Sequence, residues 1–324
     1  MRRREFISLV GGAVLAPPLG ALAQEPGRVY RLAIVTTAAR DEPPTQAFLD
    51  ELRVQGFVEG KNIEFLSDTF QFNNERAAAV VPAIIRAAPD AIVSAGDFIT
   101  EKFKEATKAI PVVAMTEDMV AAGFAATLAK PGGNITGISL MSPDLDGKRQ
   151  DILIEAVPGA HKIAILADSN VATLDHLQAL ETSARSAHGK ELLVVRAANA
   201  SEVVPAMNDA SAGGAGALNV LSSPMLQLNR RAIIERAAEL RLPAIYQWPE
   251  TADEGGLLGY GPSFIEVFRQ RARMVAKVLR GTKPADLPIE QPTTFKLSIN
   301  LKTAKAMNLA VPAGLVLRAD KLLE

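Results

Sequence analysis

Cysteine is absent from all 324 residues. Its absence excludes disulfide bridges, thiolate metal centres and thiol nucleophiles, and with them lipid attachment through a processed N-terminal cysteine. Histidine is scarce: His161, His176 and His188 have no spacing that shares a metal or sets a base beside a nucleophile, and they read as structural or solvent-facing. Aromatic residues make up 5% of the chain, with a single Trp, so any aromatic near a pocket carries extra weight. Charge of either sign is nearly cancelled, with 35 basic against 36 acidic residues. That balance gives no reason to expect a nucleic acid or a membrane surface as partner. Catalytic signatures are missing too. Gly137-Ile138-Ser139-Leu140-Met141 lacks the closing glycine of a nucleophile elbow. Gly213-Gly214-Ala215-Gly216 leads into a strand instead of out of one, so it reads as a helix stop and turn, not a dinucleotide loop. No catalytic pair, metal cluster or cofactor loop emerges, and the chain reads as a non-enzyme.

What is present begins at the N-terminus. Arg2, Arg3 and Arg4 precede an apolar run over 6–22, which ends in Ala21-Leu22-Ala23 before Gln24. A basic start, an apolar core and an A-x-A ending are the three parts of an export signal, cleaved near Ala23. Gly11-Gly12 and Pro17-Pro18 would interrupt a buried helix at this place. Arg3-Arg4-Glu5-Phe6-Ile7 also fits the twin-arginine pattern, so the twin-arginine and general secretory routes both stay open. Removing Arg2, Arg3, Arg4 and Glu5 from 35 basic and 36 acidic residues leaves a net charge of about −3. No later apolar run approaches the roughly 20 residues that span a bilayer. The expected product is a soluble periplasmic protein with no membrane insertion after cleavage.

Short Val- and Ile-rich runs alternate with segments of helical period. Strands are expected over 30–35, 62–66, 91–94, 112–115, 135–140, 162–167, 191–196, 217–221, 244–246 and 257–260. Several are continuously apolar, as parallel strands covered on both faces must be. Ala77, Val80, Val81, Ile84, Ile85 and Ala88 form a helical stripe capped at Asn73 or Asn74 and kinked by Pro82. Phe264, Val267, Phe268, Val275, Val278 and Leu279 form another, opened by Ser263. Strand alternating with helix throughout predicts the α/β class with parallel sheets. The processed length exceeds one typical domain, and the strand pattern divides roughly into halves, so two lobes are expected. Chain crossings are expected near 140 and near Gly281-Thr282-Lys283-Pro284.

Open α/β sheets bind ligands at the carboxyl ends of their strands. Thr36 and Thr37, Gly96 and Asp97, and Thr116, Glu117 and Asp118 stand there in the first half; Ser139, Asp168 to Asn170, and Ser222 and Ser223 stand there in the second. Each is a helix cap, a ligand contact, or both, since helix N-termini rim such a cleft. Tyr246 reads as core, whereas Trp248, beside Pro249, either packs in a lobe or stacks on a ligand.

An ordered set of segments then acquires a collective meaning. Gly56-Phe57-Val58-Glu59-Gly60-Lys61-Asn62, Ala129-Lys130-Pro131-Gly132-Gly133-Asn134-Ile135-Thr136-Gly137, Pro243-Ala244-Ile245-Tyr246 and Gly255-Gly256-Leu257-Leu258-Gly259-Tyr260-Gly261 come first. Lys283-Pro284-Ala285-Asp286-Leu287-Pro288 and Ile299-Asn300-Leu301-Lys302-Thr303-Ala304 follow. Together they resemble the periplasmic substrate-binding proteins of ABC transporters, in the family that includes tryptophan and tyrosine uptake receptors. The resemblance implies two doubly wound parallel-sheet lobes joined by three crossover segments, the type I periplasmic-binding-protein fold. The third crossing is then implied at 259–262. The implied N-terminal lobe is 24–139 plus 262–284 and the C-terminal lobe 140–261 plus 285–324, after a signal peptide over 1–23. Carried over by position, Asp118 falls where the family has an acid suited to an amino group. Thr36, Thr37, Gly96, Asp97, Thr116, Ser139, Asn170, Ser222, Ser223, Trp248 and Tyr260 fall on its cleft-facing strand ends and loops. Glu117-Asp118-Met119-Val120 departs from the family's Gly-Asp-Pro-Val, and Asp168-Ser169-Asn170-Val171 departs from its proline-rich asparagine loop. Those departures bear on the identity of the ligand.

The expected function is that of a monomeric solute receptor of an ABC importer. It would capture a small polar or aromatic metabolite, an amino acid among the candidates, and deliver it to an ABC permease in the inner membrane. No cofactor and no metal is expected. A ligand sensor docking on a membrane signalling partner is the alternative, and a periplasmic hydrolase a more distant one.

Overall fold

A computed structural model of the protein describes residues 27–66, 70, 72 and 76–324. The expected export segment and the caps at Asn73 or Asn74 lie outside the described residues.

The first half runs β1 (Tyr30–Val35), α1 (Pro43–Val54), β2 (Ile63–Phe65), α2 (Ala77–Ala87), β3 (Ala91–Ala95), α3 (Asp97–Ala106), β4 (Val112–Thr116) and β5 (Ile135–Ser139). These strands form one sheet in the order β2-β1-β3-β4-β5, parallel throughout. Stepping outward in both directions from β1 is the doubly wound pattern, and it brings every strand's carboxyl end to one edge. β3, β4 and β5 are buried throughout and β1 at all but Arg31, which accounts for their predominantly apolar sequence. Gly137 lies within β5 at φ 145°, where a Cβ would come within 1.9 Å of the Ala114 carbonyl oxygen. The incomplete elbow motif is thus a close strand approach. Helix α2 continues through Pro82 and ends at Ala88 in a left-handed conformation.

The second half runs α4 (Ser142–Ala156), β6 (Lys162–Asp168), α5 (Leu174–His188), β7 (Glu191–Ala197), α6 (Ala200–Ala212), β8 (Ala217–Val220), α7 (Pro224–Leu228), α8 (Arg230–Glu239), β9 (Ala244–Tyr246) and β10 (Leu258–Gly261). The chain then returns to the first sheet through α9 (Phe264–Leu279), whose apolar stripe is buried together with Phe48 and Leu52 of α1. Burying each such side chain contributes about 1.5–3 kcal/mol relative to exposure, so this helix is anchored in the first lobe. It comes back once more as β11 (Lys296–Asn300), α10 (Leu301–Ala306), α11 (Ala313–Val316) and β12 (Lys321–Leu323). The second sheet has the order β12-β11-β10-β9-β8-β6-β7.

Two strands were not expected from sequence. β11 pairs antiparallel with β10 and β12 parallel with β11, adding an edge to an otherwise parallel sheet. The segment after 284 stays in contact with the first sheet for several residues. Leu287 and Ile289 pack in first-lobe cores, Thr136 Oγ1 donates to the Leu287 carbonyl at 2.7 Å, and Glu290 bridges to Ile138 of β5. Among the described residues no helix is long and apolar enough to cross a membrane.

Candidate functional site

The carboxyl edges of the two sheets meet, and the contact between lobes is close. Gly96, after β3, has φ 100°, and a Cβ on it would lie 2.7 Å from Cγ of Pro224 in the second lobe. Arg230 of α8 reaches Glu42 of the first lobe at 3.5 Å while holding Glu254 at 2.8 Å. Three cavities adjoin along this seam. One of about 190 Å³ is lined by Thr37, Phe72, Gly96, Asp97, Phe98, Ile99, Asn170, Met225 and Leu228. A second, of about 230 Å³, is lined by Asp97, Glu117, Asp118, Ser142, Asp146, His176 and Ser222. A third, of about 30 Å³, lies between Thr36, Glu117, Ser223, Gln247, Trp248 and Phe264.

The first lobe's acids come from strand ends. Asp97 opens α3 and accepts a hydrogen bond from the Glu117 amide at 3.1 Å. Burial pushes its carboxyl up to about 6; that amide opposes the shift and nearby Asp118 adds to it. Glu117 is 9% exposed, and burial, then Asp97, push it up to about 8. Ser142 donates a hydroxyl hydrogen bond to one of its oxygens, Oε2. Asp118 is half-buried, and its Oδ1 accepts from the amides of Val120 and Ala121 at 3.1 and 3.0 Å. It therefore caps its own turn while lining the acidic cavity.

The second lobe's wall is differently balanced. Asp146 and Arg149 stand three residues apart on α4, so their side chains meet. The fully buried guanidinium donates to Asp146, to Ser222 Oγ at 2.8 Å and to the Tyr260 carbonyl at 3.1 Å. His176, one turn into α5, lies 3.6 Å from Asp146. Asp168 accepts from Ser223 Oγ at 2.6 Å and from Asn170. Ser223 in turn caps α7 by accepting from the amides of Met225 and Leu226.

The residues expected at the site are thus partly gathered and partly separated. Thr36, Thr37, Gly96, Asp97, Asp118, Asn170, Ser222, Ser223 and Trp248 all line one of the three cavities. Thr116 and Ser139 lie behind them, fully buried; Ser139 Oγ accepts from the Met119 amide at 3.2 Å. Tyr260 lines none of the three, because its ring packs beside Phe295 at 6.5 Å and only its carbonyl turns toward Arg149. Trp248 is 3% exposed and stacks on Phe264 with ring centroids 4.2 Å apart, within the first-lobe core although it follows a second-lobe strand. Tyr246 is core, as expected. Missed at the site were Asp146, Arg149, Ser142 and His176. The three-residue spacing of Asp146 and Arg149 in the helix that follows the first sheet was the signal available. Among the described residues no group of three or more acidic or histidine side chains is placed to hold a metal ion.

A family model for the ABC transporter substrate binding protein matches residues 29–323. The chain is similar to a tyrosine-binding protein of Clostridioides difficile, with 24% identity over 270 residues, 82% of this chain and 76% of that one. Among solved structures, a conserved domain protein of Vibrio cholerae superimposes with a TM-score of 0.82 at 23% identity, covering 91% of this chain and 100% of that one. An ABC domain of Streptococcus pneumonia in complex with L-Trp superimposes at 0.81 with 18% identity and the same coverage. The shared architecture is the type I periplasmic-binding-protein fold, two α/β lobes with parallel sheets.

Proposed function

The chain belongs to the ABC transporter substrate-binding proteins, and from that premise we propose that it is the periplasmic solute receptor of an importer. It closes its lobes on a small polar or aromatic metabolite and delivers it, as a monomer, to a membrane permease. The observation that carries this reading is the run of cavities built where both sheets present their carboxyl ends, with Gly96 pressed on Pro224 across the seam. An apolar wall with a few convergent polar groups is what a small-molecule site needs. Relatives named for tyrosine and for L-Trp support an aromatic metabolite among the candidates.

In this reading the first lobe comprises 24–139 plus 262–290 and the second 140–261 plus 291–324. Cores and hydrogen bonds that hold 285–290 on the first sheet support that division. Closure is a rotation about the three crossings, and the ligand selects the closed form.

The site performs no chemistry on what it holds. Ser142, His176 and Asp146 line one cavity, but the Ser142 hydroxyl is engaged with the Glu117 carboxyl and no hydrogen bond joins it to the imidazole. Burial keeps that carboxyl mostly protonated at neutral pH, and a serine bonded to a protonated acid is not an activated nucleophile.

The test is a thermal-shift screen of the purified protein against amino acids, aromatic acids, amines and other small metabolites. A ligand at 100 times its Kd adds about 2.7 kcal/mol of stability. Trp248, the chain's one tryptophan, sits at the seam and reports closure by its fluorescence. A screen in which no compound shifts the melt or the fluorescence sinks the receptor reading.

A further inference from the structure

We propose that the ligand of this cleft is an organic cation without a carboxylate, an amine or guanidine head on an apolar body. The inference rests on the receptor reading and narrows it to a substrate class.

The charge of the walls is its first support. Asp97, Glu117, Asp118, Asp146 and Asp168 line the three cavities, and among the described residues no Lys or Arg does. The cations packed around these linings are committed elsewhere or screened from them: Arg149 to Asp146, Ser222 and the Tyr260 carbonyl, Arg230 to Glu254 and Glu42, and Arg271 buried against the Phe268 ring with a hydrogen bond to the Ser94 carbonyl. A ligand carboxylate would find no ionic partner among the described residues.

Helix N-termini are the other anion-binding devices; α4, whose first residues line the acidic cavity, has no side-chain cap but carries Asp144 in its first turn, and the others at the cleft are answered from within. Asp97 is the first residue of α3, so its own carboxylate meets that dipole. Ser223, Asn199 and Thr173 occupy amides at the starts of α7, α6 and α5.

The second support is Glu117. It is nine-tenths buried and lines both the acidic cavity and the one beneath Trp248; Ser142 occupies Oε2, while Oε1 accepts no hydrogen bond from any described residue. Oε1 is not sealed from solvent and so can be reached from the cavities, and a carboxylate nine-tenths buried with no cation in contact is costly to ionise unless one arrives to meet it. An ammonium or guanidinium supplies both the counter-charge and the missing donor.

Body and head fit together. The acidic cavity shares Asp97 and Val171 with the apolar one, whose wall is Phe72, Phe98, Ile99, Met225 and Leu228. A head placed at Asp97 and Glu117 therefore leaves its body against aromatic and aliphatic side chains. Burial holds Asp97 up to about 6 and, against an opposing contribution from Arg149, Glu117 up to about 8, so at pH 7.5 a bound cation drives the proton off Glu117 while Asp97 is already ionised. Asp118, Asp146, Arg149 and His176 are the other charged or titratable groups around them.

Isothermal titration calorimetry of the full protein at pH 7.5 tests this with tryptamine, tyramine and agmatine against L-Trp and L-Tyr. The expected result is that at least one amine binds ten times or more tighter than either amino acid. Titrations in buffers of different ionisation enthalpy should show net proton release. Glu117→Gln and Asp97→Asn should each weaken that amine at least tenfold while the melt stays cooperative; the second variant serves if the first fails to fold. An amino acid binding as tightly as the amines overturns the inference and leaves the receptor reading intact. So does a neutral or anionic metabolite that binds while every amine fails, and so does an amine indifferent to both variants. If no compound of any class binds, the receptor reading falls first and this inference with it.

Discussion

The wall that the first lobe gives the acidic cavity and the wall that the second lobe gives it are built on opposite electrostatic terms. On the second, Asp146 is buried against Arg149, and the guanidinium's remaining hydrogens go to Ser222 and the Tyr260 carbonyl. On the first, buried Glu117 stands beside half-buried Asp97, with one hydroxyl and one amide to soften the repulsion. A buried carboxylate with its cation is spent on holding structure. One without a cation in contact titrates late, as Glu117 does near 8, and remains available to a ligand. The difference separates groups that shape the cleft from groups that read what enters it.

The largest effect comes from breaking the balanced wall. Arg149→Met leaves Asp146 buried without its partner, and a broken buried pair costs about 3–5 kcal/mol. Urea unfolding should show that loss as a lower midpoint. A loss under about 1 kcal/mol would mean that the pair is not the structural element described here.

Breaking the unbalanced wall should work in the other direction. The folded Glu117 carboxyl titrates near 8 and the ordinary value is 4.5. Between those pH values the unfolded chain has released a proton that the folded chain retains, so stability falls as pH rises, by at most about 1.4 kcal/mol per pH unit for this group. Asp97 adds the same sign between 3.8 and about 6. Glu117→Gln keeps the shape and removes the ionisation. Ligand-free melts from pH 5 to 8 should slope downward in the parent and flatten in the variant, leaving the variant the more stable at pH 8. Parallel slopes would contradict the assignment.

How far this contrast was legible in the sequence depends on contact range. The ten expected strands coincide with the observed ones to within one or two residues, because buried parallel strands carry unbroken Val- and Ile-rich runs. β11 escaped because Lys296, Ser298 and Asn300 interrupt its pattern; Ser298 and Asn300 are buried polar residues, Asn300 capping α10 and donating to the Ala252 carbonyl at 2.9 Å. β12 escaped because a short, exposed edge strand buries too little to need apolar alternation. At the site, strand ends identified Asp97, Asp118 and Ser223 through the topology rule alone. Arg149 was out of reach because its partners Ser222 and Tyr260 lie 73 and 111 residues away, and only the second lobe's folding makes them neighbours. His176 reaches the cavity the same way, through α5 packing beside α4.

The seam between the walls gives a smaller effect. Gly96→Ala places a Cβ against Pro224 and strains a backbone at φ 100°, which favours glycine. The clash exists only when the lobes meet, so affinity for a ligand found in the screen should fall about tenfold, or about 1.4 kcal/mol. The ligand-free melt should fall less than the liganded one. Equal falls in both would place the strain inside the first lobe instead of at the seam.

The smallest expected effect concerns Tyr260, which the sequence placed among the ligand contacts and the structure sets behind the second wall. Its contribution to that wall is a backbone carbonyl that accepts from Arg149, a role any residue can fill. Its ring lies beside Phe295, and burial pushes the phenol up from its ordinary value. Tyr260→Phe removes only a hydroxyl that takes no part in the ion pair or the cavities, so stability should move by no more than about 0.5 kcal/mol. Affinity for a ligand found in the screen should stay within twofold by calorimetry. A tenfold loss would bring the ring to the ligand in the closed form, and the second wall would then read the solute as well as shape its cleft.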